Sequence, residues 1–86
     1  MLSFPNESRS YDTTRHCVRF WGHDGALEVA FFVEDTALSR ISPATRNSQA
    51  AMVEAFDNNR ERIVDAARKA YGGRRQGSYV LTASDF

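Results

Sequence analysis

The chain has 86 residues, a formal net charge of zero and a single cysteine, so it can build one modest core but no internal disulfide. Its apolar content of 42% is ordinary, no stretch is long enough to cross a membrane, and residues 1–6 lack the basic and apolar segments of a secretory signal. We therefore expect one cytoplasmic domain over residues 1–86, because a lone thiol suits a reducing compartment.

Residues 1–14 are polar and show no regular periodicity. Their bulky side chains are few, with Phe4 and Tyr11 the largest. We predict an irregular N-terminal arm whose apolar side chains pack at the edge of the core.

The clearest pattern is a predicted β-hairpin over residues 15–33. Apolar side chains alternate with others at a period of two, which is typical of strands with one buried face. Asp24-Gly25 is a strong signal for a two-residue turn, which would place Phe20 opposite Val29. A loop at His23-Asp24 keeps the same parity, so both alternatives put the same side chains on one face: Val18, Phe20, Val29 and Phe31.

Two helices are predicted after the hairpin. The first is short, over residues 35–41, and ends before Pro43, because the residue before proline avoids helical geometry. The second is long, over residues 47–71, with an apolar stripe at helical spacing and Gly72-Gly73 as a C-cap signal. Asn58-Asn59 is the position at which we expect any bend, because asparagine is a weak helix former.

A third strand is predicted over residues 78–82. These elements indicate an α+β fold in which the helices pack on one face of a three-stranded, mainly antiparallel sheet. We expect the third strand beside the first, in the order 2-1-3, so that the helical connection returns across the sheet. The predicted core is Val18, Phe20, Leu27, Val29, Phe31, Val33, Leu38, Ile41, Met52, Phe56, Ile63, Ala67, Tyr79 and Leu81.

No catalytic, cofactor-binding or metal-binding set is predicted. His16 and Cys17 are neighbours in a strand, so their side chains point to opposite faces, and His23 lies at the far end of that strand. The spacings of a zinc site are absent. A small packed cysteine and two surface histidines are the simpler interpretation.

The hairpin face opposite the core is a candidate interface. Cys17, Trp21 and Phe32 share its parity, and two large aromatic side chains on an open face form the kind of apolar patch that marks an interaction site. The alternative is that residues 1–14 fold over this face and cover it.

The basic residues of segment 60–75 are a candidate contact for anions or nucleic acid. Six basic residues stand there against Glu61 and Asp65, and the named candidates are Arg60, Arg68, Arg74 and Arg75. A solvated helix face with a polar loop is the simpler alternative. The interleaved carboxylates and the absence of an aromatic among the arginines predict at most weak, sequence-independent binding.

The chain resembles a bacterial family known as domain of unknown function 1488 over nearly its whole length. The resemblance is carried by Val18-Arg19-Phe20, Asp24-Gly25, Phe31-Phe32-Val33, Ala37-Leu38, Ala55-Phe56-Asp57-Asn58-Asn59-Arg60, Ile63, Ala67, Tyr71, Gly77-Ser78-Tyr79-Val80-Leu81 and Asp85-Phe86. That family is small and single-domain and has no assigned activity, so the resemblance implies the fold and no catalytic residues.

These observations predict a non-catalytic interaction module that forms a homodimer or binds an unidentified protein. Weak nucleic-acid binding through segment 60–75 and a small enzyme with an unrecognised site are the alternatives. We expect no cofactor and no membrane association.

Overall fold

The computed structural model describes residues 2–5, 8–42, 48–73 and 78–86. Within these ranges the chain forms five strands, three α-helices and a final 3₁₀ turn. They are β1 (Leu2–Ser3), β2 (Arg9–Asp12), β3 (Cys17–Asp24), β4 (Leu27–Glu34), α1 (Asp35–Ile41), α2 (Gln49–Asn58), α3 (Arg60–Gly73), β5 (Ser78–Leu81) and the 3₁₀ turn Ala83–Asp85. The predicted α+β class with a mainly antiparallel sheet is confirmed, although the sheet has five strands rather than three.

The prediction of an irregular N-terminal arm is wrong, because residues 2–3 and 9–12 are strands. Both pair antiparallel with β3, β1 through Leu2 opposite Asp24 and β2 through Arg9 opposite Phe20. They lie at the edge of the sheet and are short and largely polar, so they lack the period-two pattern of a strand with one buried face.

The predicted faces of the β3–β4 hairpin are confirmed, but its register is displaced by two residues. Phe20 lies opposite Phe31 rather than Val29, and Asp24 pairs with Leu27. The loop is therefore Gly25-Ala26. Gly25 has a φ of 62°, and among the described residues the only non-glycine with positive φ is His16. Positive φ at the first loop position alone is the pattern of a type II′ turn, which favours glycine there.

The predicted strand order 2-1-3 is also wrong, because β5 lies parallel to β4. β1 and β2 already occupy the free edge of β3, so the last strand has only the edge of β4 left. The connection from β4 to β5 through the helices is a crossover, which is what parallel neighbours require.

The predicted long helix is divided into α2 and α3 at Asn59, the position where the sequence indicates a bend. Asn59 has φ −123° and ψ 22°, and its Nδ2 donates a hydrogen bond of 2.9 Å to the Ala55 carbonyl oxygen. The Ser48 hydroxyl oxygen caps the start of α2 by accepting a hydrogen bond from the Ala51 amide. Residue 47, where the predicted long helix begins, and Pro43, the predicted stop signal after the short helix, lie outside the described residues.

The core lies between the sheet and the three helices. Its centre is a set of aromatic rings: Phe20 lies 5.3 Å from Phe31 and 5.1 Å from Phe56, centroid to centroid. The predicted core side chains are buried, apart from Leu27, which is 57% exposed, and Ile41, which packs at the rim. Leu27 is exposed because it flanks the hairpin loop. None of the described helices is long and apolar enough to cross a bilayer.

Candidate interaction surface on the outer sheet face

The side of the sheet that faces away from the core is called the outer face here. Side chains reach it at a period of two along each strand. Its members are Ser3 on β1, Ser10 and Asp12 on β2, Cys17, Arg19, Trp21 and His23 on β3, Glu28, Ala30, Phe32 and Glu34 on β4, and Ser78 and Val80 on β5. Cys17 and Phe32 are buried but do not belong to the core cluster. Something other than the helices therefore covers them.

Two arginines cover the aromatic side chains of the outer face. The guanidinium carbon of Arg15 lies 4.4 Å from the centre of the Phe32 ring. That of Arg19 lies 5.0 Å from the Trp21 ring and 5.7 Å from the Phe32 ring. Cation–π contacts of this kind are each worth about 0.5–1 kcal/mol at exposed sites. The two guanidinium groups account for Phe32 being only 8% exposed on a face that none of the described helices covers.

Both arginines keep their hydrogen-bonding capacity. Neither forms an ion pair with another residue in the described part of the chain. A guanidinium that stacks on a ring through its flat face still presents N–H donors at its edge, in a geometry that suits carboxylates. Arg15 and Arg19 were not among the predicted site residues. Arg19 could have been found from its shared parity with Trp21, whereas Arg15 lies in a turn and carried no such signal.

A shallow depression of about 190 Å³ lies at one end of the outer face, lined by Arg15, Cys17, Phe32, Glu34 and Val80. Val80 is 50% exposed at its rim.

Burial, more than any neighbouring charge, raises the pKa of the Cys17 thiol, so the thiolate that would act as a nucleophile is disfavoured. His23 is six residues further along β3, about 20 Å away at roughly 3.4 Å per residue. The described His, Cys, Asp and Glu side chains form no cluster of three or more that could hold a metal ion.

The alternative in which residues 1–14 cover the outer face is wrong for the described part of that segment. The ring centre of Phe4 lies 5.9 Å from that of Phe20 and 5.7 Å from that of Phe31, so Phe4 packs on the core side. Tyr11 also lies on the core side, opposite Val18. Trp21 is thus only half-buried.

The structure describes only part of the predicted basic site. Arg60 and Arg68 line one groove of about 400 Å³ along α3, and Phe4 and Val64 contribute its apolar wall. The Arg68 guanidinium lies 5.6 Å from the centre of the Phe4 ring. Sequence reasoning found no aromatic among these arginines, because Phe4 comes from the other end of the chain. Glu61 and Asp65 also line the groove, and Arg74 and Arg75 lie outside the described residues.

Asp57, a carboxylate on the exposed side of α2, is held by an arginine. Arg9 of β2 donates two hydrogen bonds of 2.8 Å to its two carboxylate oxygens. The hydrogen bond from Arg9 lowers the pKa of Asp57 below its ordinary value. An ionised, doubly hydrogen-bonded carboxylate is suited to joining β2 to α2 rather than to proton transfer.

The fold and its open face define a small α+β domain with one helical layer. The family described as "Protein of unknown function (DUF1488)" matches residues 2–81, so the chain belongs to this family. A crystal structure of a family member of unknown function from Shewanella loihica PV-4 has the same fold, with a TM-score of 0.82 at 16% sequence identity. The match covers 93% of this chain and 90% of that chain. No curated protein matches the sequence.

Proposed function

We propose that this protein is a non-catalytic, cytoplasmic interaction module that forms a homodimer through its outer face. The observation that carries the proposal is the arginine-covered aromatic patch formed by Arg15, Arg19, Trp21 and Phe32. Tryptophan and arginine are the side chains most enriched among those that dominate binding energy at protein interfaces.

The chemistry of the outer face favours a second copy over nucleic acid as its occupant. A two-fold interface brings one patch against itself, so the patch must be complementary to its own charges. The outer face carries Arg15 and Arg19 together with Glu28 and Glu34. A purely basic surface would repel its own copy, whereas a mixed one around an apolar centre does not.

The first experiment is a measurement of mass in solution by light scattering at high micromolar concentration. We expect a dimer for the wild type and a monomer for Trp21→Ala. Leu27→Ala is the matched control, because Leu27 is also a large exposed apolar side chain but flanks the hairpin loop. A wild type that stays monomeric would end the proposal of a homodimer, as would a Trp21→Ala variant that dimerises normally.

A second candidate function is weak nucleic-acid binding along α3. The observation that favours it is that Phe4 lies with Arg60 and Arg68 in one groove, since aromatic rings beside cations are what single strands stack on. We expect binding of labelled single-stranded DNA to fall steeply with salt and to weaken in Arg60→Ala/Arg68→Ala. Arg62→Ala is the control, because Arg62 does not line this groove. An absence of binding at low salt would contradict this function.

A further inference from the structure

The two central strands of the outer face carry side chains of opposite charge. On β3 and the turn before it the basic side chains are Arg15, Arg19 and His23, whereas on β4 the charged side chains are the carboxylates of Glu28 and Glu34. One further carboxylate, Asp12, lies on the flanking strand β2 beside Cys17. The two strands β3 and β4 are neighbours, so basic side chains along β3 lie beside acidic side chains along β4 in the middle of the sheet.

The same two strands also differ in bulk. Trp21 on β3 lies directly opposite Ala30 on β4, and Ala30 in turn lies beside Ser78 on β5. The row through the centre of the outer face therefore has one large side chain next to two small ones. Such a row presents a protrusion over β3 and a low point over β4.

We infer that a second copy packs face to face on the outer face, about a two-fold axis that runs along the strands between β3 and β4. This inference rests on the proposed function and specifies its geometry. Rotation about such an axis places β3 of each copy over β4 of the other and keeps each residue in its own row. Two packed sheets accept this arrangement, because aligned sheets lie about 10 Å apart with strands within about 30° of each other.

In this arrangement the two copies are complementary both in charge and in side-chain size. His23 comes to lie over Glu28 of the second copy. Arg15 and Arg19 flank the row of Glu34 of the second copy and can reach it with their free N–H donors. Trp21 fills the low point over Ala30 of the second copy. An axis across the strands would instead place Glu28 over Glu34, which brings like charges together.

A charge exchange between the strands tests this axis. One variant, Arg15→Glu/Arg19→Glu, makes β3 acidic, and the other, Glu28→Arg/Glu34→Arg, makes β4 basic. Each variant alone would place like charges over one another, so we expect its self-association to weaken by at least about tenfold. Mixed in equal amounts, the two are complementary at both strand contacts, so we expect a heterodimer with close to wild-type affinity.

The readouts are light scattering of each variant alone and of the mixture, with circular dichroism to establish that both variants fold. If Arg15→Glu/Arg19→Glu fails to fold, Arg19→Glu alone takes its place. Variants that self-associate like the wild type, or that stay monomeric when mixed, overturn this axis. If the wild type dimerises and Trp21→Ala abolishes the dimer while the exchange fails, only the axis is wrong. If the wild type is a monomer, the proposed function itself fails.

Discussion

Arg9 and Asp57 join the N-terminal edge of the sheet to α2 through a two-pronged ion pair. Nε and one terminal nitrogen of the guanidinium each lie 2.8 Å from a different oxygen of the carboxylate. The paired geometry fixes the position of β2 relative to the helix, because a planar fork meets a planar acceptor in one orientation.

This ion pair predicts a pH dependence of stability. The folded-state pKa of Asp57 is below its ordinary value of 3.8, chiefly because of the hydrogen bond from Arg9. A depressed pKa contributes stability that is fully present above the unfolded pKa and is lost as the pH falls through the folded pKa. We therefore expect Asp57→Asn to lower the urea midpoint at pH 7 and to have progressively less effect below about pH 4. Arg9→Gln should behave in the same way, and an effect that is constant down to pH 2 would contradict the assignment.

Tyr11→Phe is expected to destabilise the fold by about 1–3 kcal/mol, because the carboxylate of Asp35 loses its hydrogen-bond donor. The Tyr11 hydroxyl donates a hydrogen bond of 2.6 Å to Oδ2 of Asp35. Oδ1 of Asp35 is buried and has no hydrogen-bond partner among the residues that the structure describes. The free energy of unfolding from urea denaturation measures the loss. In an Asp35→Ala background, which has no side-chain acceptor for the Tyr11 hydroxyl, the same change should cost less. An equal cost in both backgrounds would show that the hydrogen bond is not the cause.

The Tyr11 hydroxyl should also ionise at a higher pH than an exposed tyrosine does. Burial, and then the hydrogen bond to Asp35, raise its pKa to about 12. A raised pKa gives stability that is present below the unfolded value near 10 and is lost as the pH rises towards 12. Ultraviolet titration of the wild type against Tyr11→Phe isolates this group. A difference spectrum that titrates near pH 10 in the folded protein would refute the prediction.

Gly22→Ala is expected to destabilise the fold by about 1–3 kcal/mol through overpacking. A β-carbon on Gly22 would lie 2.8 Å from Cε2 of Phe4 and 3.0 Å from Cδ1 of Leu2. The Phe4 ring, which packs against the core, and the Leu2 side chain would have to shift to make room. Gly72→Ala is the control: a β-carbon there meets nothing within 4 Å, and alanine in a helix is favoured over glycine by about 0.5–1 kcal/mol. The midpoint of thermal unfolding should therefore fall for Gly22→Ala and rise for Gly72→Ala. Equal shifts in the two variants would disprove the steric argument.

Phe56→Ala should cost about 3–5 kcal/mol, as truncation of a buried phenylalanine does. Phe56 is fully buried and its ring lies 5.1 Å from that of Phe20. Leu27→Ala removes a comparable apolar side chain from the surface and should change the free energy of unfolding by no more than about 0.5 kcal/mol. A loss for Phe56→Ala within that range would mean that α2 presents another side to the sheet.

The sequence predicted the features that depend on neighbours along the chain. Period-two alternation put Val18, Phe20 and Phe31 on one face, and the same parity grouped Trp21 with Phe32. A two-residue error in the hairpin register left these faces unchanged, because parity repeats every two residues. The asparagine pair also indicated the break at Asn59.

Features set by distant parts of the chain were not predicted. The position of β5 depends on β1 and β2 occupying the edge of β3, and those strands are too short and polar to recognise alone. Phe4 lines the α3 groove because the folded chain brings it beside Arg60 and Arg68, which are more than fifty residues away in the sequence. The covering of Phe32 by Arg15 likewise depends on the conformation of a turn.

The parallel pairing of β5 with β4 has a consequence for the order in which the chain folds. β2, β3 and β4 are joined by short turns and can pair as soon as they meet. β5 joins only after residues 35–77 have closed a long loop, and that closure entropy must be offset before its contacts form. We therefore expect β5 to be the last strand to gain protection in pulsed hydrogen exchange during refolding. Full early protection of Ser78–Leu81 would reverse this order.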